Sequence, residues 1–197
     1  MTEWEKGQQG YLYDANNDRG VMDKHLECLD KCHRLNSLSP LDSDKRRSLL
    51  KEIIKDIGEG FDILSPFYCD FGENIHIERK FYANHNLSIL DGGRVDIGDY
   101  VFIAPNVVIT TAGHAIDPEQ RDKGLEIALP ISIGSHVWIG ANVTILPGVK
   151  IGSNVVIGGG AVVTKDIPSD VIAVGNPARI LRKITAEDKH KYPIFEE

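Results

Sequence analysis

The amino-acid sequence predicts a mainly β fold, a parallel β-helix wound from six-residue units, and three observations carry that prediction. Aliphatic residues recur at every sixth position, first at Ile97, Ile103 and Ile109, then at Ile133, Ile139, Ile145, Ile151, Ile157 and Val163. A second apolar series follows four residues behind, at Val101, Val107, Val137, Val143, Val149, Val155, Ala161 and Ile167, broken only at Gly113. The chain holds 19 glycines among 197 residues and only 7% aromatics, so its core is built from something other than large rings.

The physics of the repeat is specific. Glycine follows the aliphatic at 98, 134, 140, 152 and 158, and Asn106, Asn142, Gly148, Asn154 and Gly160 lie three residues beyond it. A short β-branched segment followed by a residue that accepts positive φ describes a flat strand ending in a sharp corner. Three such units close one triangular coil, and stacked coils pair their strands in parallel, about 4.8 Å apart. This is the signature of the hexapeptide-repeat left-handed parallel β-helix, and its narrow interior is expected to exclude aromatic rings.

The elements follow in order. Residues 1–60 form an N-terminal helical segment, with helical spacing around 20–35 and 43–57. The second stretch places Leu49, Leu50, Ile53, Ile54 and Ile57 on one face, with Asp42 or Ser43 to cap it and Gly58 to end it. The β-helix is expected over 61–170, with about four coils between residues 65 and 168. Its upstream part (Ile75, Ile77, Ala83, Ile89) is shifted by two residues relative to Ile97, around Asp91, Gly92 and Gly93. Between Ile109 and Ile133 the register is kept across 24 residues, so residues 110–130 leave the helix as an extruded loop. An excursion of that length in a compact repeat is usually functional. A polar C-terminal tail, 171–197, carries Arg179, Arg182, Lys183, Lys189 and Lys191.

Composition excludes several classes of function. The formal net charge is −7, which disfavours a general nucleic-acid binder. No stretch approaches the roughly 20 apolar residues of a membrane span, and the charged opening MTEWEKGQQGYLYD lacks the apolar core of a signal peptide, so a cytoplasmic location is expected. Cys28, Cys32 and Cys69 lack framework spacing and are expected to be reduced. His25, Cys28 and Cys32 share a helical face, but two buried thiols on an amphipathic helix need no metal.

Three segments, NIHIERKFYANHNLSILD, IGDYVFIAPNVVITTAGHAIDP and ISIGSHVWIGANVTILPGVKIGSNVVIGGGAVVTKDIPSDVIAVGNPARILR, occur in this order and resemble the hexapeptide-repeat sugar O-acetyltransferases. That group contains the maltose and galactoside acetyltransferases. The resemblance includes the GYLYDANND opening and covers almost the entire chain. It implies transfer of an acetyl group from acetyl-CoA to a sugar hydroxyl in a ternary complex, with no metal and no covalent intermediate. It also implies a homotrimer whose active sites lie in clefts between neighbouring subunits.

The resemblance assigns roles to individual residues. His114, in the extruded loop, matches the general base, and an imidazole of ordinary pKa near 6.5 accepts a hydroxyl proton at neutral pH. Asn84 matches the donor to the oxyanion of the tetrahedral intermediate, although an asparagine here also suits a coil corner. Tyr82 and Asp91 match positions that touch the acceptor, and Asn16 and Asp70 fall near substrate positions. Two departures affect the acceptor subsite: the galactoside enzymes carry serine where this chain has Asp70, and an acidic residue where it has Gly92. Asp70 suits a hydrogen bond to a hydroxyl, a cationic acceptor, or a solvated surface charge.

Coenzyme A carries a pyrophosphate and a 3′-phosphate, so an acidic protein needs clustered cations to hold it. Thr164, Lys165, Arg179 and Arg182 match the family's cofactor residues and supply that cluster. Ala141 and Gly159 match positions along the pantetheine arm, where small side chains allow close approach. Trp138 falls beside the cofactor, at a subunit contact, or in the core.

Other readings use the same scaffold. An antibiotic O-acetyltransferase is the main alternative acceptor class, although the long insertions of those enzymes are absent. A metal-dependent hydro-lyase resembling the γ-class carbonic anhydrases needs a second histidine five residues after the loop histidine, where this chain has Glu119. A non-catalytic β-helix scaffold leaves the loop around His114 without a purpose. Cys69 as an acyl-enzyme nucleophile has no basic neighbour in sequence.

Overall fold

The structure, a computed structural model, describes residues 1–195. Its body is a triangular parallel β-helix with three sheet faces. The first face stacks Asp56–Ile57, Ile75–Ile77, Val95–Ile97, Ile131–Ile133 and Lys150–Ile151. The second stacks Asp62–Ile63, Tyr82–Ala83, Phe102–Ile103, Val137–Ile139, Val155–Ile157 and Val171–Val174, and is closed by antiparallel Arg179–Lys183. The third stacks Phe67–Cys69, Leu87–Leu90, Val108–Thr110, Thr144–Ile145 and Val162–Val163. Five coils form where about four are expected, and parallel pairing begins at Asp56 and continues to Ala173, beyond the 61–170 span.

The two-residue shift in the sequence is a change of coil size. Early coils pair residues 20 apart, as in Asp56 with His76 and His76 with Asp96, whereas later coils pair residues 18 apart, as in Trp138 with Val156. The larger early coils bury Phe61, Phe67 and Phe81, which corrects the expectation that no ring fits inside. From Ile97 onward the interior of the helix is Ile, Val and Ala alone.

Glycine plays a different part from the one its position suggests. Asn106, Asn142, Gly148, Asn154 and Gly160 do take positive φ and turn the corners. The glycines directly after the aliphatic do not; they are required because successive coils touch there. A Cβ at Gly140 would lie 2.6 Å from the Gly159 nitrogen, and one at Gly134 would lie 2.6 Å from Ser153 Oγ. Another corner tolerates bulk at positive φ: Lys80, Tyr100 and His136 all adopt it, and the Tyr100 and His136 rings stack at 5.1 Å.

The N-terminal segment covers the first coils. Helix α1 (Glu3–Gln8) is held by a capping box between Thr2 and Glu5. Helix α2 (Arg19–Asn36) turns Val21, Cys28, Cys32 and Leu35 inward, and the side-chain amide of Asn36 exchanges hydrogen bonds with the backbone of Phe67. Helix α3 (Ser43–Ile53) stops short of Gly58, because Ile54 turns extended and Asp56–Ile57 joins the first face. Arg46 of α3 bonds Ser65 Oγ at 2.7 Å and the Ile63 carbonyl at 3.0 Å.

The extruded loop is structured. Ala112–His114 and Leu125–Ala128 pair as an antiparallel hairpin, with helix α4 (Pro118–Asp122) between them. Tyr13–Asp14 adds a third strand to that hairpin, so the first residues of the chain dock on the excursion. Tyr13, Val21 and Ala128 form a small core of their own there. Among the described residues, no helix is long and apolar enough to cross a membrane.

Candidate active site

The excursion leaves at the corner between the third and first faces, where the early coils also carry their extra residues. Asp91 is fully buried at this corner. Its Oδ1 accepts the backbone N–H groups of Asp70 and Phe71, both at 2.9 Å, while Asn74 Nδ2 donates to its carbonyl at 2.6 Å. Oδ2 has no partner. Burial pushes this carboxyl up to about 6, against the pull of its amide donors. Thr111 Oγ1 accepts from Gly93 N and donates to the Leu90 carbonyl, both at 2.8 Å, and so pins the next corner.

Above these corners lies a cavity of about 390 Å³. Tyr13, Asn16, His25, Asp70, His114 and Glu126 line it, together with Phe71 and the Ala112–Gly113 backbone. His114 faces Glu126 across the hairpin, with Nε2 4.0 Å from Oε1. The imidazole is 58% exposed and the carboxylate only 18%. Asn16 Nδ2 donates to Glu126 Oε1 at 3.0 Å and to the Gly124 carbonyl at 2.9 Å, which ties the N-terminal segment to the hairpin. On the opposite wall His25 Nε2 lies 3.5 Å from Asp70 Oδ1. Burial, then the charge of Glu126, pushes the Asp70 carboxyl up to about 6. Tyr13 is buried, and its phenol is raised by that burial and by Glu126, Asp70 and Asp91 together. A Cβ at Gly92 would sit 3.0 Å from Tyr13 Oη, so a side chain at 92 and the Tyr13 ring compete for one space.

The expected site residues therefore divide. Asn16, Asp70 and His114 share the cavity. Asp91 does not reach it and instead holds the Asp70 turn from below. Tyr82 and Asn84 lie elsewhere in the chain, on the second face and at its corner with the third, so one whole face separates them from His114. Asn84 Oδ1 accepts the His85 N–H at 2.7 Å, which leaves its Nδ2 hydrogens free to donate. Three lining residues were missed in the sequence. Glu126 meets His114 only through the register of the Ala112–His114 and Leu125–Ala128 hairpin, and Tyr13 and His25 become cavity residues only when the N-terminal segment docks.

A larger hollow of about 690 Å³ lies beside α3 and the first coils. It lacks the loop histidine, and Arg46 on its wall is committed to Ser65 and Ile63. Cys28, Cys32 and Cys69 place their sulfurs within 4.8 Å of one another, as reduced, buried thiols with the spacing of a metal-ligand set. Hydrogen bonding from Cys28 and Cys32, with burial, pushes the Cys69 thiol well up, so it keeps its proton and is neither a ready nucleophile nor a ready ligand. His25 turns away from this trio toward Asp70.

The residues expected to hold the cofactor group around the C-terminal coils. Ala141 and Gly159 are stacked neighbours: the Ala141 carbonyl accepts from Gly160 N at 2.8 Å, and a Cβ at Gly159 would lie 3.2 Å from it. Thr164, Lys165 and Arg179 are exposed. Arg182 is bound to Asp188 by two hydrogen bonds, of 2.5 and 2.7 Å, so it reaches a phosphate only by leaving that partner. Trp138 is 56% exposed on the second face, in register with Phe102 on one side and Val156 on the other, which excludes a core role.

The hexad solenoid and its extruded histidine loop place the chain among the hexapeptide-repeat transferases. The family described as bacterial transferase hexapeptide (six repeats) matches residues 130–165, and the maltose acetyltransferase hexapeptide capping motif matches residues 6–58. Galactoside O-acetyltransferase of Escherichia coli K12 is 47% identical over 192 residues, covering 98% of this chain and 94% of that protein. A solved galactoside acetyltransferase in complex with coenzyme A superposes with a TM-score of 0.94 at 44% identity, over 98% of this chain and 96% of that one. The maltose O-acetyltransferase of Clostridium difficile 630 gives a TM-score of 0.92 at 42% identity, over 94% and 98%. The chain belongs to the galactoside and maltose O-acetyltransferase family of hexapeptide-repeat acyltransferases.

Proposed function

We propose that this protein transfers the acetyl group of acetyl-CoA to a hydroxyl of a sugar or glycoside, in a ternary complex. The observation that carries this reading is the placement of His114 on the wall of a cavity, with a carboxylate facing its imidazole. The imidazole takes the proton of the acceptor hydroxyl as its oxygen attacks the thioester carbonyl. Charge then develops on the carbonyl oxygen, where a fixed amide donor stabilises it. Asn84 suits that task because its own oxygen is occupied and its NH2 is free. Collapse breaks the C–S bond, and the coenzyme thiolate takes up the proton from the imidazolium. The products are an acetyl ester and free coenzyme A.

Since Asn84 and His114 lie at different corners, they meet only if a neighbouring copy supplies one of them. The in-register ladder Tyr82, Phe102, Trp138, Val156 and Ile172 on the second face is an apolar surface suited to such a contact, and a homotrimer is the assembly we assign. Lys165 and Arg179, beside the small-residue stack of Ala141 and Gly159, would hold the phosphates and pantetheine arm of coenzyme A. The test is thiol release from acetyl-CoA against maltose, glucose, galactosides, amino sugars and chloramphenicol. Turnover of a sugar supports the reading; turnover of chloramphenicol alone replaces it, and no turnover overturns it.

A further inference from the structure

The acceptor cavity has a charge pattern that its catalytic role does not require. Asp70 and Glu126 line it with side chains 24% and 18% exposed, and no lysine or arginine is among its lining residues. Glu126 accepts one hydrogen bond, from Asn16, whereas the Asp70 carboxylate accepts none among the described residues. The nearest side chain of opposite potential charge is His25, at 3.5 Å, while the charge of Glu126 also acts on Asp70. Beneath both lies Asp91, with one buried oxygen unpartnered. Burial first, and then the charges of Glu126, Asp70 and Asp91, push the phenol of Tyr13 on the cavity wall up. Carboxylates held this far from water are stabilised by an opposite charge, and a neutral polyol supplies none.

We infer that the acceptor is an amino sugar, whose ammonium group is held by Asp70 while a hydroxyl of the same ring is presented to His114. This rests on the sugar acetyltransferase reading and narrows it. Asp70 and His114 line the same cavity and Glu126 lies beside the base, so a ring bound there is in reach of both a carboxylate and the imidazole. An amine paired with a carboxylate keeps its proton and its lone pair is unavailable for attack. The acetyl group therefore goes to oxygen: the hydroxyl O–H and thioester C–S bonds break, an ester C–O bond forms, and the coenzyme thiol leaves with the proton. Gly92 and Tyr13 reinforce the choice, because the tyrosine ring occupies the room that a side chain at 92 would need, leaving Asp70 as the carboxylate that faces the ligand on this wall.

The experiment compares kcat/KM for glucosamine, glucose and N-acetylglucosamine by thiol release, in the full-length protein and in Asp70→Asn and Asp70→Ser. A charge-assisted contact predicts a preference for glucosamine over glucose of about ten- to hundredfold, and that ratio collapses toward one in both variants. The product is an ester, which hydroxylamine cleaves. Equal use of glucose and glucosamine, a ratio unmoved by Asp70→Asn, or an amide product each overturns this inference and leaves the sugar transferase reading standing. Turnover of another sugar of the wider panel but of none of these three overturns this inference alone, and no thiol release with any sugar overturns both.

Discussion

Glu126 lies directly across a two-stranded hairpin from His114, with its Oε1 4.0 Å from the imidazole Nε2 and fixed by the Asn16 amide at 3.0 Å. The base therefore rests on a wall that the N-terminal segment completes. His114→Ala is expected to lower kcat by about 10²- to 10⁴-fold, the usual contribution of a positioned base, with an unchanged circular dichroism spectrum. A variant that kept full turnover would remove His114 from the mechanism.

Asn16→Ala tests the wall itself. It removes the two Asn16 side-chain hydrogen bonds to the hairpin and leaves the strand pairing of Tyr13–Asp14 in place, so Glu126 loses its fixed donor. We expect kcat/KM to fall about tenfold while thermal stability drops by about 1 kcal/mol, the ordinary worth of such bonds. Unchanged kinetics in a destabilised protein would show that Glu126 does not position the base.

Asp91 and Asp70 make stability depend on pH in a defined direction. Both have folded-state values raised to about 6 from the ordinary 3.8, so the folded protein binds more protons than the unfolded chain between these values. Stability contributed by their protonated forms is present below about pH 4 and is lost as pH rises toward 6. Asp91→Asn removes one of these titrations. Melting temperature should fall less from pH 4 to 7 in the variant than in the wild type, and parallel curves would contradict a burial-driven shift.

Two glycines separate close approach from backbone freedom. At Gly160, with φ of +73° and nothing within 4 Å of where a Cβ would stand, alanine should cost about 1–2 kcal/mol, and asparagine less. At Gly140, where a Cβ would meet the Gly159 nitrogen at 2.6 Å, alanine forces two coils apart. Denaturant melts should show the larger loss at 140, by about a factor of two or more.

The second-face ladder is tested by Trp138→Glu, which places a charge between Phe102 and Val156. Light scattering after size exclusion should report loss of the trimer, and thiol release should fall with it. A trimeric, active variant would move the subunit contact to another surface.

The hexad periodicity was sufficient for the β-helix because each inward aliphatic occupies an equivalent place, so the pattern repeats with the coil. The same logic failed where coils are not equivalent. The early coils carry two more residues at one corner, and their wider section buries Phe61, Phe67 and Phe81. Gly98, Gly134 and Gly140 looked like corner residues, yet contact with the next coil demands them, and a distance between coils leaves no trace in the spacing along one.

At the site, His114 was legible because an excursion that keeps the hexad register stands out from the repeat. Asn16 and Asp70 were legible through family motifs, and the cavity unites them with His114. Glu126, Tyr13 and His25 entered only with the tertiary structure, since they come from a hairpin, an added strand and α2, brought together by docking. The sequence by itself determined the solenoid, its inward residues and the loop histidine, because these follow from local periodicity and its interruption. Only the tertiary structure decided that Asp91 supports the Asp70 turn from beneath, that Arg182 is held by Asp188, and that the cavity wall is lined by carboxylates without a lysine or arginine to balance them. The first and last are contacts between residues distant along the chain, the second a pairing six residues apart made by the turn of the tail, and the energies of all three depend on burial and separation in space.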